Sequence, residues 1–413
     1  DGFIIWFGEE DHLRVMCMGT DFVLNHDFNR LRKALETLES LPGIEFATST
    51  KYGFVTSCPS NLGTGMRASV HLKVPNLTSN GTDAKAAAMA KPLGLSVRGT
   101  GGEHTPIGAD GTVDISPSSR LFITEAEIVA KLFTGIKLLL EKENGDFLAA
   151  GAPAQTDNDT VDNNSFIEQG VDEGATLSTS TVATAPPASA QASPSFNKSL
   201  VTDIVLNHPE NRCAKHLLKL ANEGVLKGLS AEALSRLLRC VKTGLENPDS
   251  GLGCYAMAPS DYDDLAFFFD RVCNDYHDNP GGNKVHKTSW SLESCGGESE
   301  SLPTEDGVAV LDMRKLGLLE PLSMRVRVGR NLTSFPLPGA MTKADRINFE
   351  SMMLGAFDSL IANEGYGGNV YSMTPHEDWK AVTGRDANPN LISPAKYQEL
   401  VKAHVMFKDM DAD

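Results

Sequence analysis

At 413 residues the chain is long enough for two or three domains, and 41% hydrophobic with 22% charged residues is the make-up of a globular protein. A net charge of -17 argues against a general nucleic-acid binder, which needs a basic surface. It leaves room for a nucleotide held by a local arginine cluster. No apolar run approaches the roughly 20 residues that a membrane span needs, so neither nucleic acid nor membrane is an expected partner. The seven cysteines are scattered, without a CxxC pair or a metal spacing, as in a reduced, cytosolic chain. Asp1, followed by a strand-like run, leads us to expect a fragment that begins inside a domain.

Residues 1–145 are expected to be mixed α/β. Gly2 to Phe7, Gly53 to Ser57 and Ala68 to Val74 are strand-like, rich in aliphatic and aromatic residues. Leu31, Ala34, Leu35 and Leu38 recur at helical spacing. Thr124 and Glu127 form a capping-box pattern ahead of an apolar stripe, Ile128, Leu132, Ile136 and Leu139. Residues 146–196, dominated by Asn, Asp, Thr, Ser, Ala and Pro, cannot bury enough surface to offset their ordering entropy and are expected to be a disordered linker. Residues 197–293 look mainly helical, with helices expected at His216–Leu220, Ala231–Val241 and Asp263–Tyr276. Residues 294–318 form a Gly/Ser/Glu-rich connection. Residues 319–413 return to mixed structure, with a strand through Met324–Val328. A helix capped by Thr342 and Asp345 follows, its inner face made by Phe349, Met353, Ala356, Phe357 and Leu360.

Period-2 alternation suggests where chemistry resides. Extended backbone would place Glu10, His12 and Arg14 on one face, Arg67, Ser69 and His71 on another, and Ser323, Arg325 and Arg327 on a third. Solvent-facing strand polarity accounts for any one of these. Three arginine-bearing faces together call for an anion, and polyphosphate is the natural candidate. Cys58-Pro-Ser-Asn-Leu-Gly-Thr64 sets a thiol on a tight turn; a lone cysteine is more often structural than reactive. Arg98-Gly-Thr-Gly-Gly-Glu103 is a glycine-rich loop with an arginine at one end and a carboxylate at the other, suited to a surface turn or to a lid over a ligand.

The stretch Cys58 to Thr64 resembles the active-site signature of the phosphagen (guanidino) kinases. Glu9 to Arg14, Met66 to His71, Val97 to Thr100 and Ser323 to Arg330 are similar to that family as well, and Glu246 to Ala256 resembles its substrate-specificity loop. The resemblance implies an α+β fold: a mostly antiparallel sheet flanked by helices, with a small all-α N-terminal-type domain beside it. It implies that Arg14, Arg67, Arg98, Arg325 and Arg327 bind phosphate, and that Ser323, His12 and His71 contact ATP or ADP. Glu10 and Glu103 would grip the guanidinium, with Cys58 beside it as a thiolate. Gly251, Leu252, Gly253 and Tyr255 would close on the rest of the substrate. Mg²⁺ would arrive on the phosphates, so no protein metal site is expected.

Glu103 and the short Ser250–Tyr255 loop resemble arginine kinases, which points to L-arginine. Gly101 stands where those enzymes usually carry a second arginine, which leaves taurocyamine or another guanidino compound open. A protein-arginine kinase and a non-catalytic scaffold unit, for example in a cilium or flagellum, are the competing readings. The order of the pieces is the end of a catalytic domain (1–145), a linker, a helical domain (197–293) and the start of a catalytic domain (319–413). That order implies a fragment spanning two fused kinase units, with neighbouring units of the same polypeptide as partners. The two ends could also dock with each other as a permuted unit across the linker.

Overall fold

The computed structural model describes residues 2–100, 105–150, 196–295, 302–306, 308–362, 366–403 and 405–406, with side chains to residue 145 in the first helical stretch. Six strands form one sheet: β1 (Phe3–Phe7), β2 (Leu13–Asp21), β3 (Met66–Lys73), β4 (Leu95–Arg98), β5 (Thr112–Pro117) and β6 (Leu322–Arg330). Their order is β1-β2-β6-β3-β5-β4, and every pairing is antiparallel. β6, about 250 residues downstream of β3, therefore lies in the middle of the sheet. It runs in register with β2 from Leu322↔Asp21 to Arg330↔Leu13, and with β3 from Met324↔Val70 to Val328↔Met66. The two ends of the chain thus dock with each other through backbone ladders on both edges of one strand.

Alternation decides which way the sheet faces. Leu13, Val15, Ala68, Val70, Val113, Ile115, Met324, Val326 and Val328 are buried on one side. They pack against α1 (Asn25–Glu39), α2 (Ala84–Ala90), α3 (Glu125–Ala150) and α10 (Lys343–Ile361). The helical stripes foreseen from periodicity supply the other half of this core: Leu31, Ala34, Leu35 and Leu38 from α1, and Phe349, Met353, Ala356, Phe357 and Leu360 from α10. Both capping boxes form. Thr124 Oγ1 accepts from the Glu127 amide at 3.2 Å, and Thr342 Oγ1 accepts from the Asp345 amide at 3.2 Å.

Two expectations shift. Gly53 to Ser57 is not a full strand: only Gly53–Phe54 pairs, with Thr48–Ser49, because the positive φ of Gly53 (71°) turns the chain. α3 continues to Ala150, into the stretch expected to be linker, since Phe147 to Ala150 favour helix; residues 151–195 lie outside the described residues.

The helical region comprises α4 (Lys198–Asn207), α5 (Arg212–Asn222), α6 (Ala231–Cys240), α7 (Lys242–Glu246), α8 (Asp261–Asp264) and α9 (Ala266–Tyr276). α4 was not foreseen, and the single helix expected over Asp263–Tyr276 breaks at Leu265. Leu217, Leu237, Phe268 and Phe269 form a second core that also takes in Tyr52, Val55, Leu62 and Leu121 from the first part of the chain, and Leu337 from the last. The helices are thereby fixed against the Cys58 turn. Among the described residues no helix is long and apolar enough to cross a membrane.

Candidate functional site

The exposed side of the sheet collects the arginines. In the β6–β3 ladder Arg327 stands opposite Arg67 and Arg325 opposite Ser69. In the β6–β2 ladder Ser323 stands opposite Thr20, and Gly329 opposite Arg14. Arg98 ends β4 opposite Asp114 of β5, which in turn faces His71 of β3. Like charges directly across a ladder are destabilising, and here they are also desolvated. Burial lowers Arg327 to about 9, with Arg325, Arg14, Arg67 and Arg120 adding to the effect. Burial lowers Arg67 to about 10; Asp114, whose Oδ2 accepts from Arg67 Nη2 at 2.8 Å, opposes this, while Arg98, Arg120 and Arg325 reinforce it. Arg14 pairs with Glu9 at 2.7 Å and reaches Glu10 at 3.4 Å. Ser323 is exposed, and His71 lies 4.0 Å from Asp114. The face is a set of cations that burial and mutual repulsion leave poised for an anion.

Beside it lies a region of opposite character. Cys58 precedes a 3₁₀ turn, Pro59–Asn61, and its Sγ sits 3.0 Å from Ser60 Oγ. Burial pushes the Cys58 thiol up to about 12; the Ser60 hydrogen bond opposes this, and Glu10 adds to it. Cys58 is therefore a neutral thiol here, whereas the family resemblance implies a thiolate. Burial, then Asp11, raise Glu10. The Asn61 amide donates to Glu10 Oε2 at 3.2 Å. Tyr255 is pushed up to about 12 by burial and then by Cys58 and Glu10, which sets its hydroxyl within their electrostatic reach.

The Gly251–Tyr255 loop is held there by backbone bonds. The Tyr255 amide donates to the Cys240 carbonyl and the Ala256 amide to the Ser57 carbonyl, each at 2.8 Å. Gly253 (φ 73°) must be glycine: a Cβ would meet Gly244 Cα at 2.7 Å. Tyr262 donates its hydroxyl to the Thr56 carbonyl at 2.8 Å, and His277 Nε2 donates to the Pro59 carbonyl at 2.9 Å. Gly251 and Leu252 occupy the outer, more exposed edge of the loop.

The structure thus gathers Arg14, Arg67, Arg98, Arg325, Arg327, Ser323 and His71 on one face, and Glu10, Cys58 and Tyr255 beside it. His12 is a correction. β2 begins only at Leu13; residues 8–12 curl, with the Gly8 amide donating to the His12 carbonyl at 3.0 Å. The alternation expected for Glu10, His12 and Arg14 is lost, and His12 turns into the core. Its Nε2 donates to the Pro336 carbonyl and its Nδ1 accepts from the Leu332 amide, each at 2.9 Å. Burial lowers it to about 4. Both ring nitrogens are committed, so His12 joins chain segments and lies off the arginine face on which it was expected. Glu103 lies outside the described residues.

Sequence reasoning missed Asp114, Asn61 and Arg120. Asp114 alternates correctly in Thr112-Val-Asp-Ile-Ser116 and could have been found as a polar-face residue, though not as the partner of Arg67. Arg120 lies on no periodic element and left no signal. Among the described residues no group of three potential metal ligands occurs.

Known proteins frame these findings. Residues 1–146 match the family described as ATP:guanido phosphotransferase, C-terminal catalytic domain, and residues 210–274 match ATP:guanido phosphotransferase, N-terminal domain. The chain belongs to the ATP:guanido phosphotransferases. An arginine kinase of Anthopleura japonica is 27% identical over 99% of this chain and 46% of its own length. A taurocyamine kinase of Schistosoma mansoni is 28% identical over 99% of this chain and 45% of its own. A creatine kinase testis isozyme of Oncorhynchus mykiss is 43% identical over 34% of this chain and 37% of its own. The chain spans about half the length, or less, of these curated relatives. The solved structure of the substrate-free duplicated taurocyamine kinase from Schistosoma mansoni superposes with a TM-score of 0.32 and 22% identity, covering 100% of this chain and 48% of that one.

Proposed function

We propose that the chain transfers the γ-phosphate of ATP reversibly to a guanidino compound, with L-arginine the substrate that the residues favour. Arg14, Arg67, Arg98, Arg325 and Arg327 would hold the phosphate chain, with Ser323 and His71 at its margins. Glu10 and Glu103 would hold the guanidinium in two-pronged fashion beside Cys58, and Gly251, Leu252, Gly253 and Tyr255 would enclose the remainder of the substrate. Residues 1–145 and 319–413 then supply complementary parts of a catalytic domain, and 197–293 the helical domain. Phosphoryl transfer asks for alignment and charge neutralisation rather than covalent help from the protein. A guanidino nitrogen would attack phosphorus as the bond to the bridging oxygen breaks, and it would shed its proton to the Glu10 carboxylate. The arginine-rich donor set fits a magnesium nucleotide, whose ion would neutralise phosphate charge as the transfer proceeds.

The observation that carries this proposal is an adjacency: arginines set opposite each other across the β6–β3 ladder, Arg327 and Arg67, lie beside a turn that holds the Glu10 carboxyl and the Cys58 thiol. A polyphosphate would suit the first and a guanidinium the second. The test is phosphoryl transfer from MgATP scanned over arginine, creatine, taurocyamine and glycocyamine, with Glu103→Val as control. Turnover on arginine that the substitution abolishes supports the assignment. Turnover only on taurocyamine, which Gly101 leaves open, moves the substrate. No turnover while nucleotide still binds rejects the kinase function and leaves a scaffold.

A further inference from the structure

We propose that Arg120 is a positioning residue that braces the Cys58 turn and so aims Glu10 at the guanidino substrate, an inference that rests on the function proposed above. Arg120 follows β5 and grips the Cys58 turn twice. Its Nη1 donates to the Ser60 carbonyl at 3.2 Å and to Asn61 Oδ1 at 2.9 Å. Its own carbonyl accepts from the Thr64 amide and from the Thr64 hydroxyl, each at 3.1 Å. With Oδ1 committed to Arg120, the Asn61 amide group can only aim its Nδ2 at Glu10, to which it donates at 3.2 Å. The relay Arg120–Asn61–Glu10 therefore sets the direction of the carboxylate that would hold the substrate. On its other side Arg120 is electrostatically coupled to Arg98, Arg67 and Arg327. One guanidinium thus touches the turn and borders the phosphate face.

The surroundings brace this residue. Gly63 (φ 94°) approaches so closely that a Cβ would meet the Arg120 carbonyl at 2.5 Å. Two residues on, Phe122 holds a left-handed conformation (φ 61°), which costs energy for a bulky side chain and persists only where the surroundings impose it. His286, from the segment after the helical region, accepts the Phe122 amide on Nδ1 at 3.2 Å. Its ring lies so close to Gly53 and Gly63 that a Cβ there would come within 2.1 and 3.0 Å. Segment 120–122 is thus pinned between the turn and the helical region. The planar guanidinium fixes the directions of both Nη1 hydrogens, whereas a lysine ammonium carries rotatable donors on a flexible stem.

Arg120→Lys and Asn61→Ala, alone and combined, test this. Arg120→Lys keeps the charge and removes the fixed direction of the two Nη1 hydrogens. The expected result is a roughly tenfold rise in KM for the guanidino substrate and a fall of about tenfold in kcat, with MgADP affinity, read by tryptophan fluorescence, changed less than about twofold. Asn61→Ala should reproduce the pattern, and the double variant should be no worse than the poorer single. Weakened MgADP with an unchanged guanidino KM would make Arg120 a phosphate ligand instead, and multiplying effects in the double variant would deny the relay. Amide exchange at Asn61 and Leu62 requires no turnover, so it decides the inference even if the wild type transfers no phosphate. Exchange accelerated about tenfold in Arg120→Lys supports the brace, and unchanged exchange overturns it.

Discussion

The sheet face and the Cys58 turn make an instructive pair. Both bury ionisable groups without full compensation, and they do so with opposite sign. On the sheet, strands fix arginines opposite one another, and burial holds Arg327 and Arg67 well below the usual arginine range. At the turn, burial raises a carboxyl and a thiol, and loops from the helical region complete the enclosure. The first region draws its precision from strand register, the second from hydrogen bonds between segments distant in sequence. A single-site ligand would satisfy one of them. Two regions of opposite demand, side by side, suit a pair of substrates that exchange a charged group.

The largest expected effect comes from removing a cation on the sheet face. Arg327→Ala should lower transfer by about 10³-fold and weaken MgADP, because a preorganised charge aimed at the transferring group contributes roughly 3–4 kcal/mol. A fall of tenfold or less would mean that the face is redundant and that the contrast with the turn is overstated.

Acid should come next, since it attacks the joints between the regions. His12, His277 and His286 are each lowered to about 4 by burial, and each ring bonds a segment far away in sequence. Their folded-state values lie below the unfolded one, so the unfolded chain binds more protons in that range. Stability is intact above about pH 6.5 and is lost as pH falls toward 4, by on the order of 3 kcal/mol per histidine. Urea unfolding at pH 7, 5.5 and 4.5 measures this; a flat profile would show that these histidines accept protons without cost.

Cys58→Ser sharpens the comparison from the turn side. We expect a roughly tenfold lower kcat and a raised guanidino KM, with MgADP affinity within about twofold of wild type, because the sulfur bonds Ser60 and neighbours Glu10 on the guanidinium side. Equal loss of nucleotide binding would merge the two regions into one.

The smallest effect should follow cleavage at a site-specific protease sequence inserted between Gly170 and Val171. β6 is hydrogen-bonded on both edges and buried on one face, so the two pieces should co-elute and keep the activity of the uncut chain. Separation on a sizing column would refute the assembly of the sheet from both ends.

Much of this was legible beforehand. The α1, α3 and α10 stripes, both capping boxes and the alternation of Leu322–Arg330 are local, and local patterns survive into the fold. The arginines of β2, β3 and β6 could be grouped because period 2 is fixed once a strand exists. His12 shows the limit. The same rule misplaced it, because where β2 begins depends on the curl at Gly8–His12 and on the Leu332 and Pro336 groups that capture its ring.

By itself, then, the sequence determined the stripes of α1, α3 and α10, the arginine-bearing faces of β2, β3 and β6, the helical middle and the family to which the motifs belong, all of which depend on neighbours a few residues apart. Only the tertiary structure decided that β6 enters the sheet between β2 and β3, that Arg67 meets Asp114 and that Arg120 clamps the turn. Those contacts join residues from 47 to roughly 300 positions apart. Closing such loops costs entropy that only the assembled core repays, so no local pattern announces them.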